Sequence, residues 1–586
     1  MSATIRQPNF AFLLGCAWLL IVLQLVAQNW AETAQSLLDT DDAMRLAQMH
    51  DWLNGQGWYD LNQSRVAPPG YESHWSRLID AGLAGMLLVF RMFADPALAE
   101  RLMRTVWPML WLLPAMAGTA AIAWRIAGRE AALLALLLAL VGLPAFHQFR
   151  PGRIDHHNVQ VALSVLLVAA TVWSDRVRWA GWAAGAVTGL ALAVGLECLP
   201  YLIVCGVAFA LRFVLDRSGA QAAKDYGLAL AASAVVAFFV IVMPDHWTRG
   251  LCDAIAINWV ALVVTGGLGL ALAGHFASER MTVRLPCVLA VGAAATALFV
   301  AIEPACLRGP YAMMDPVVWG IWLAQVREMQ PLLPLLAKNP VTGIAIATFP
   351  AAALIAALVL AGDKEKRGDF GYLAAAAAFA VAAIATLAAI KSYSYATWLG
   401  MPLVAAFALH LSALLRLHAL VPRVALGLML TPAVLSLGAM SLAGAAGFGS
   451  GENTSAPDGD ACHRTANYAA FARLPTGLIA ADVNFGPYLL ALTPHSVLAA
   501  PYHRLSAGIL VAHEAFASAP DEARRVLVQH RVSYVVICGA SGPNGLRTIE
   551  REASLWGRLN AGAVPAWLEP VVPPGSGAFA VYRMKS

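Results

Sequence analysis

Apolar stretches near the ~20 residues that cross a bilayer as a helix recur from about residue 10 to about residue 446 of this 586-residue chain. With 59% of residues apolar and 13% charged, against roughly 25% charged in an ordinary soluble domain, the apolar residues cannot all be enclosed in one water-soluble core. A disordered chain, a secreted disulfide scaffold and a plain cytosolic enzyme are excluded. The formal charge of +4 is small and its basic residues gather in alternate loops, so it carries no argument for nucleic acid.

Short cytoplasmic loops are rich in Lys and Arg, and the chain threads on that rule without a failure of alternation. Arg6 is inside; a signal anchor at about 10–28 delivers residues 29–108 to the outer side. Spans at about 109–124 and 130–146 flank an inner loop with Arg125 and Arg129, and residues 147–158 re-emerge outside. Later inner loops carry Arg176 and Arg178; Arg212, Arg217 and Lys224; Arg280 and Arg284; Lys364, Lys366 and Arg367; Arg416 and Arg423. Outer loops fall near 196–198, 244–254, 303–341 and 391–395. The expectation is a polytopic α-helical membrane protein of about thirteen spans, N-terminus cytoplasmic and C-terminus outside, in a bacterial inner membrane with a periplasmic C-terminal domain. The apolar 81–93 stretch would invert every later loop if it crossed, and is read as an interfacial helix. No internal repeat is visible.

After residue 446 a Gly/Ser/Asp-rich linker intervenes, which divides the chain into a transmembrane domain, 1–446, and an extracytoplasmic α/β domain, 447–586. Runs GLIAADV, SVLAAP, VSYVVICG and AFAVYRM read as strands, and the acid-started APDEARRVLVQHR as an amphipathic helix. Of eight cysteines, Cys16, Cys198, Cys205 and Cys287 lie in or beside apolar spans and read as small buried hydrophobes. There is no CxxC and no metal-ligand spacing. Cys462 and Cys538 fall in the C-terminal part, where an oxidising compartment makes them a candidate disulfide.

Carboxylates and histidines in outer loops are the informative residues, because so charge-poor a membrane protein places few without cause. LLDTDDAMRLAQMHDW holds Asp39, Asp41, Asp42, Arg45, His50 and Asp51. Its adjacent acids suit a hard divalent ion or, equally, the acid-favouring first turn of a helix. FRPGRIDHHNVQ holds Arg150, Arg153, Asp155, His156 and His157. An Asp and a His two apart can share one ion, with His favouring Mn²⁺ somewhat over Mg²⁺, while Arg150 and Arg153 could hold a phosphate or anchor the loop at the interface. WLAQVREMQPLL carries Glu328, either a site acid or the wet side of an interfacial helix. Glu197 sits at the outer end of a span. His74 and Trp75 could shape a sugar pocket, and Tyr502, His503, Arg504 and His513 could contact an acceptor or form an ordinary polar loop and helix.

This pattern resembles the catalytic subunit of oligosaccharyltransferase and its single-chain bacterial and archaeal relatives, GT-C membrane glycosyltransferases. The resemblance covers the whole architecture and rests on Asp42-Ala43-Met44-Arg45, on Asp155-His156-His157 as an Asp-x-His motif, and on Arg327-Glu328-Met329-Gln330-Pro331, close to the family's AEMQP setting. It implies Asp42 and Glu328 as catalytic residues, and Asp42, Asp155, His157 and Glu328 as holding a divalent metal, Mn²⁺ or Mg²⁺. It also implies Lys391, with Arg150 and Arg153, at the donor phosphate. The family's WWDYG acceptor motif is replaced by Asp482-Val483-Asn484-Phe485-Gly486, which loses both tryptophans and the aspartate. The implied activity is metal-dependent inverting transfer of a sugar or oligosaccharide from a polyprenyl-phosphate or pyrophosphate donor to a lipid, glycan or protein acceptor on the outer side. His74, Glu197, Tyr502, His503 and Arg504 are then the acceptor-side candidates. A lipid-linked sugar transporter or flippase is the rival; it would place ionisable groups near the midplane and often show inverted repeats.

Overall fold

A computed structural model describes residues 9–448, 461–539, 548–572 and 577–585; Arg6 and most of the linker lie outside the described residues. Among the described residues eight helices are long and apolar enough to cross a membrane, or nine if the bent pair Leu420–Met429 and Pro432–Ala445, inclined at 58°, makes one span. Leu19, Leu20 and Leu23 on α1 (Phe10–Gln35) are exposed, as expected where the surrounding solvent is lipid. The chain is an integral membrane protein.

After α1 come α2 (Thr40–Leu53), α3 (Arg77–Phe90) and α4 (Pro96–Leu140). The short α3 covers the stretch expected at the interface: Leu83 and Leu87 are buried while Leu88, Val89, Met92 and Phe93 just beyond are exposed. Helix α4 starts a dozen residues before the span expected at 109, capped by Asp95 with Pro96 in its first turn. Its first turns look like loop because they carry charge, but those charges are partnered: Arg104 donates to Thr33 O at 2.8 Å and Arg101 reaches Trp30 O and Thr33 Oγ1. Between Arg125 and Arg129 the helix breaks at Ala127–Gly128, where Gly128 has φ 81°, so the expected loop is a kink.

The next helices, α5 (His157–Trp173), α6 (Ala180–Val194) and α7 (Leu199–Leu215), are apolar but shorter than a full span. They are followed by α8 (Ala220–Ile241), α9 (Ile257–His275) and α10 (Met281–Ile302). Close packing here is set by glycine: a Cβ on Gly227 of α8 would stand 2.2 Å from Gly267 O of α9, and one on Gly267 2.6 Å from Gly227 O. Small residues let helix backbones approach in a solvent that gives no hydrophobic drive to associate. Cys198 and Cys205 are buried, as expected, but Cys287 is exposed on α10, whose apolar residues face outward.

The C-terminal part is a five-stranded sheet in the order β2-β1-β3-β5-β4, with β1 (Leu478–Ala480), β2 (Ser496–Val497), β3 (Tyr534–Cys538), β4 (Leu568–Val572) and β5 (Phe579–Met584). β1 runs parallel to β2 and β3; β5 is antiparallel to β3 and β4. Four strands fall in the runs read as strands. β4, LEPVV, escapes that reading because Pro570 interrupts it, and Pro is tolerated because β4 is an edge. Cys462 and Cys538 are disulfide-bonded. A second disulfide, Cys252–Cys306, joins the loops before α9 and after α10.

The sheet is fastened to the segment between α1 and α3. Val66 bridges Val497 in parallel, with Ala67 N donating to Val497 O and Val497 N to Arg65 O, both at 2.8 Å. Arg65 Nη2 donates to Leu490 O at 2.7 Å and the Tyr502 hydroxyl to Thr40 O at 3.1 Å. Substituting Gly227→Ala should destabilise the protein by about 1–3 kcal/mol through the backbone clash with α9. Gly292→Ala on α10, with nothing within 4 Å of the added Cβ, should leave stability equal or higher. Thermal unfolding of both variants in one detergent checks this.

Candidate active site

The site begins with the start of α2. Asp39 caps the helix, its Oδ1 accepting from Asp41 N at 3.3 Å, and Asp41 and Asp42 fill the first turn, where a carboxylate is favoured by the helix dipole. Successive residues on a helix diverge by about 100°, so the two acids face different places. Asp42 is wholly buried against the second outer segment, its Oδ1 accepting from Ile154 N at 2.7 Å and Asp155 N at 3.1 Å. Asp41 faces a cavity.

Arg153 lies at the centre of the buried half. Its guanidinium donates to Asp155 Oδ2, to Asp39 Oδ2 at 2.7 Å and to Gln148 Oε1 at 3.1 Å, and stands 3.3 Å from Asp42 Oδ2. Burial would raise every one of these carboxyls; the charge of Arg153 outweighs it for Asp39 and Asp155, which are held below the ordinary range. For Asp42 burial prevails over Arg153, with the charge of Asp155 adding to it, and the carboxyl is pushed up to about 8.

The cavity, about 570 Å³, lies between loops of the helical part and the C-terminal sheet, lined by Asp39, Asp41, Glu197, Glu328, Lys391, His463, Tyr488, Tyr502 and His503 among others. A second cavity of about 370 Å³ adjoins it and is walled by Leu196, Leu199, Pro200 and Trp259. His74, Trp75, His156, Glu197, Tyr311, Met329, Lys391 and His503 line both. At this shared wall Glu197 Oε1 meets Lys391 Nζ at 3.0 Å and Glu197 Oε2 meets His157 Nδ1 at 3.2 Å. His157 Nε2 lies 3.9 Å from Asp41 Oδ2. The Glu328 segment is brought to Lys391 by a backbone bond, Ile390 N to Gln330 O at 3.1 Å.

Charge at the wall is unbalanced. Burial opposes ionisation of Glu197, yet Lys391 and then His157 hold it well below the ordinary value. Asp41 is raised well above 3.8 by burial and then by Asp39, and Glu328 above 4.5 by burial. Acids so perturbed in a cleft mark a candidate functional site. They also fit a divalent cation: carboxyls outnumber the cations available to them, and His156, His157 and Glu197 each offer a ligand atom within 4.8 Å of the others. A second convergence, His74, Asp253 and His503, is already occupied by Arg504, which grips Asp253 through Nε at 2.7 Å and Nη2 at 2.8 Å.

Of the residues singled out in the sequence, Glu328, Lys391, Glu197, His74, Tyr502 and His503 line these cavities, and His157 stands behind the wall on Glu197. Asp42 and Asp155 do not line them; they face Arg153. Arg153 is engaged by carboxylates, and Arg150 pairs with Glu32 at 2.8 Å and Asn29 Oδ1 at 3.1 Å, half-exposed and off both cavities. Arg504 lies behind the wall, on Asp253. Asp41 and His156 stood in the clusters singled out in the sequence but not among the residues the resemblance implied; Tyr311 and Asp253 were not singled out at all, although Asp253 is an acid beside a cysteine.

This architecture is similar to that of the Archaeoglobus fulgidus oligosaccharyltransferase in the apo form, with TM-score 0.66 at 16% identity over 90% of this chain and 69% of that one. Archaeal oligosaccharyltransferase AglB from Archaeoglobus fulgidus, in complex with an inhibitory peptide and a dolichol-phosphate, matches with TM-score 0.64 at 14% identity over 90% and 69%. An Archaeoglobus fulgidus oligosaccharyltransferase complex with Zn and sulfate matches with TM-score 0.59 at 14% identity over 90% and 67%. No protein-family model matches the chain, and no curated protein matches its sequence. The chain has the GT-C fold of these membrane glycosyltransferases.

Arg153→Ala should strand Asp155 as a buried charge without its cation and cost about 3–5 kcal/mol at neutral pH. Because Asp155 and Asp39 are depressed in the fold, the stability they confer is full above the unfolded value of 3.8 and is lost as pH falls through the depressed folded values. The gap between wild type and variant should therefore narrow on acidification. Denaturation midpoints of the two proteins at neutral and acidic pH measure it.

Proposed function

We propose that the chain is a glycosyltransferase that moves a sugar or oligosaccharide from a polyprenyl-phosphate or pyrophosphate donor to an acceptor on the outer side of the membrane, with inversion at the anomeric carbon. The observation that carries the reading is the shared wall: one acid–base cluster, Glu197–Lys391–His157, stands between a polar cavity under the soluble domain and an apolar one among the helices. A donor with a sugar, a phosphate and a lipid needs those surroundings in that order. The dolichol-phosphate in an archaeal protein of this fold supports a lipid-phosphate ligand here.

Lys391 exchanges Glu197 for the donor phosphate and offsets its charge as the bond to the anomeric carbon breaks, the electron pair leaving with the phosphate oxygen. A preformed cation in a dry site is worth far more than one in water. Asp41 orients the acceptor on the opposite face of the sugar; on this reading it takes the part that the sequence pattern gave to Asp42. Asp41, His157, Glu197 and Glu328 would hold a divalent cation, Mn²⁺ or Mg²⁺, with imidazole among the donors favouring Mn²⁺. When bound, such an ion supplies Lewis-acid stabilisation of phosphate charge. The C-terminal domain lies in the periplasm of a bacterial inner membrane on this reading, and 1–446 and 447–586 are its membrane and soluble units.

Purified protein in proteoliposomes, given labelled polyprenyl-phosphate and polyprenyl-pyrophosphate sugars with membrane extract, should form a new glycosidic bond. Chelation should slow it and Mn²⁺ restore it. Asp41→Asn and Glu328→Gln should each lower kcat by about 10²-fold, and Lys391→Ala should raise the donor KM. Label that crosses the bilayer without a new bond would make the protein a transporter instead.

A further inference from the structure

The C-terminal domain contributes an imidazole to the shared wall, and its surroundings are those of an oriented base. His503 Nε2 donates to Asp253 Oδ2 at 2.5 Å. Asp253 is fixed twice: its neighbour Cys252 is tied to Cys306 by the disulfide, and its carboxylate is clasped by Arg504 Nε and Nη2. Arg504 is in turn held by Glu72 O at 3.2 Å. The His503 ring packs against His74, centroids 4.7 Å apart, and edge-on against Tyr311 at 5.2 Å. Its second nitrogen, Nδ1, takes no hydrogen bond among the described residues, and the residue lines both cavities.

We infer that His503, oriented by Asp253, is the general base that takes the proton from an acceptor hydroxyl, so that the acceptor is a glycan or lipid alcohol. The inference rests on the transferase reading above and names its acceptor class. An Nε2–H bonded to a carboxylate leaves Nδ1 as a proton acceptor, the same logic by which a buried Asp fixes the tautomer of a catalytic His. The acceptor O–H proton passes to Nδ1 as the oxygen lone pair forms a bond to the anomeric carbon; the bond from that carbon to the donor phosphate breaks, and the phosphate leaves with its electrons. The proton on His503 then returns to solvent or to the departing phosphate. An alcohol suits this arrangement because its lone pair is already localised. A carboxamide nitrogen has its pair delocalised into the carbonyl, and one base does not free it.

The charge pattern around the dyad supports it. Burial opposes ionisation of Asp253, but the Arg504 hydrogen bond and then His503 hold it far below the carboxylate range. Burial and the neighbouring His503 keep His74 well below its usual value, hence neutral. The group behind the dyad is thus an anion and the group beside it is uncharged. Asp253 is a positioning residue; His503 is the one that meets the acceptor.

The test uses the full-length protein in proteoliposomes with labelled polyprenyl-linked sugar and two acceptor sets, hydroxyl-bearing glycans or lipids and asparagine-containing peptides. Wild type should label the hydroxyl set. His503→Gln should lower kcat for it by about 10²-fold while donor KM and thermal stability hold, and imidazole in the buffer should restore part of the rate to His503→Ala. Asp253→Asn should lower kcat in the same direction. Wild-type kcat in His503→Gln, labelling of the peptide set in preference, or absence of imidazole rescue would each overturn the inference and leave the transferase reading standing. No glycosidic product from wild type with any acceptor would overturn the transferase reading itself.

Discussion

One guanidinium holds the outer half of this protein together. Arg153 enters the space between the first turn of α2 and the loop that leads into α5, and meets Asp39, Asp42 and Asp155 there. A buried charge is tolerable only when paired and hydrogen-bonded, so neither segment can occupy this place without the other. The pairing decides more than stability. With Asp42 taken up by Arg153 and two backbone N–H groups, the helix turn presents Asp41 to the open side, and with Arg153 consumed by carboxylates the cavity must balance its acids with Lys391 and His157.

The C-terminal sheet depends on the same segment from its other end. Arg65 and Val66 extend the sheet beside β2 through main-chain bonds to Val497, and Tyr502 reaches back to Thr40, one residue from the Asp39 that Arg153 grips. The roof of the cavity is therefore registered against its floor through a few residues of the first outer segment. On the far side the registration is electrostatic: Asp253 in the loop before α9 receives both His503 and Arg504, and the Cys252–Cys306 disulfide stops that loop from drifting.

What was legible in the sequence follows from these facts. Hydropathy and the distribution of Lys and Arg carry the membrane helices, because lipid forces every spanning backbone into a helix; the acidic and histidine-bearing outer loops stood out because charge is scarce. The resemblance pointed to Glu328, His157 and Lys391; Glu328 and Lys391 line the polar cavity, and His157 reaches its wall through Glu197. It named Asp42 where Asp41 faces inward, since one step along a helix turns a side chain by about 100° and no periodicity distinguishes two adjacent acids. Arg150 and Arg153 looked like phosphate ligands because a sequence displays charges but not their partners. Cys252–Cys306 was out of reach, as connectivity does not follow from spacing. The early start of α4 was hidden by Arg101 and Arg104, whose charges are satisfied by the end of α1.

The ion pair between Glu197 and Lys391 sits where the two cavities meet, and its place explains why both residues are retained in so apolar a region. Alone, either charge would cost several kcal/mol in the low-dielectric wall; together, 3.0 Å apart, each makes the other bearable while the cavity is empty. On the proposed transferase reading an anionic headgroup arriving from the apolar side would offer Lys391 a second partner, and Glu197 would keep His157, 3.2 Å away. On that reading the pair would be a stored binding site: the protein meets the desolvation cost of the cation when it folds, with Glu197 as a stand-in anion, and a lipid phosphate would displace a carboxylate rather than strip an ammonium of water. Such a device requires a second cation for Glu197 and an apolar approach for the ligand, and the wall between these cavities has both.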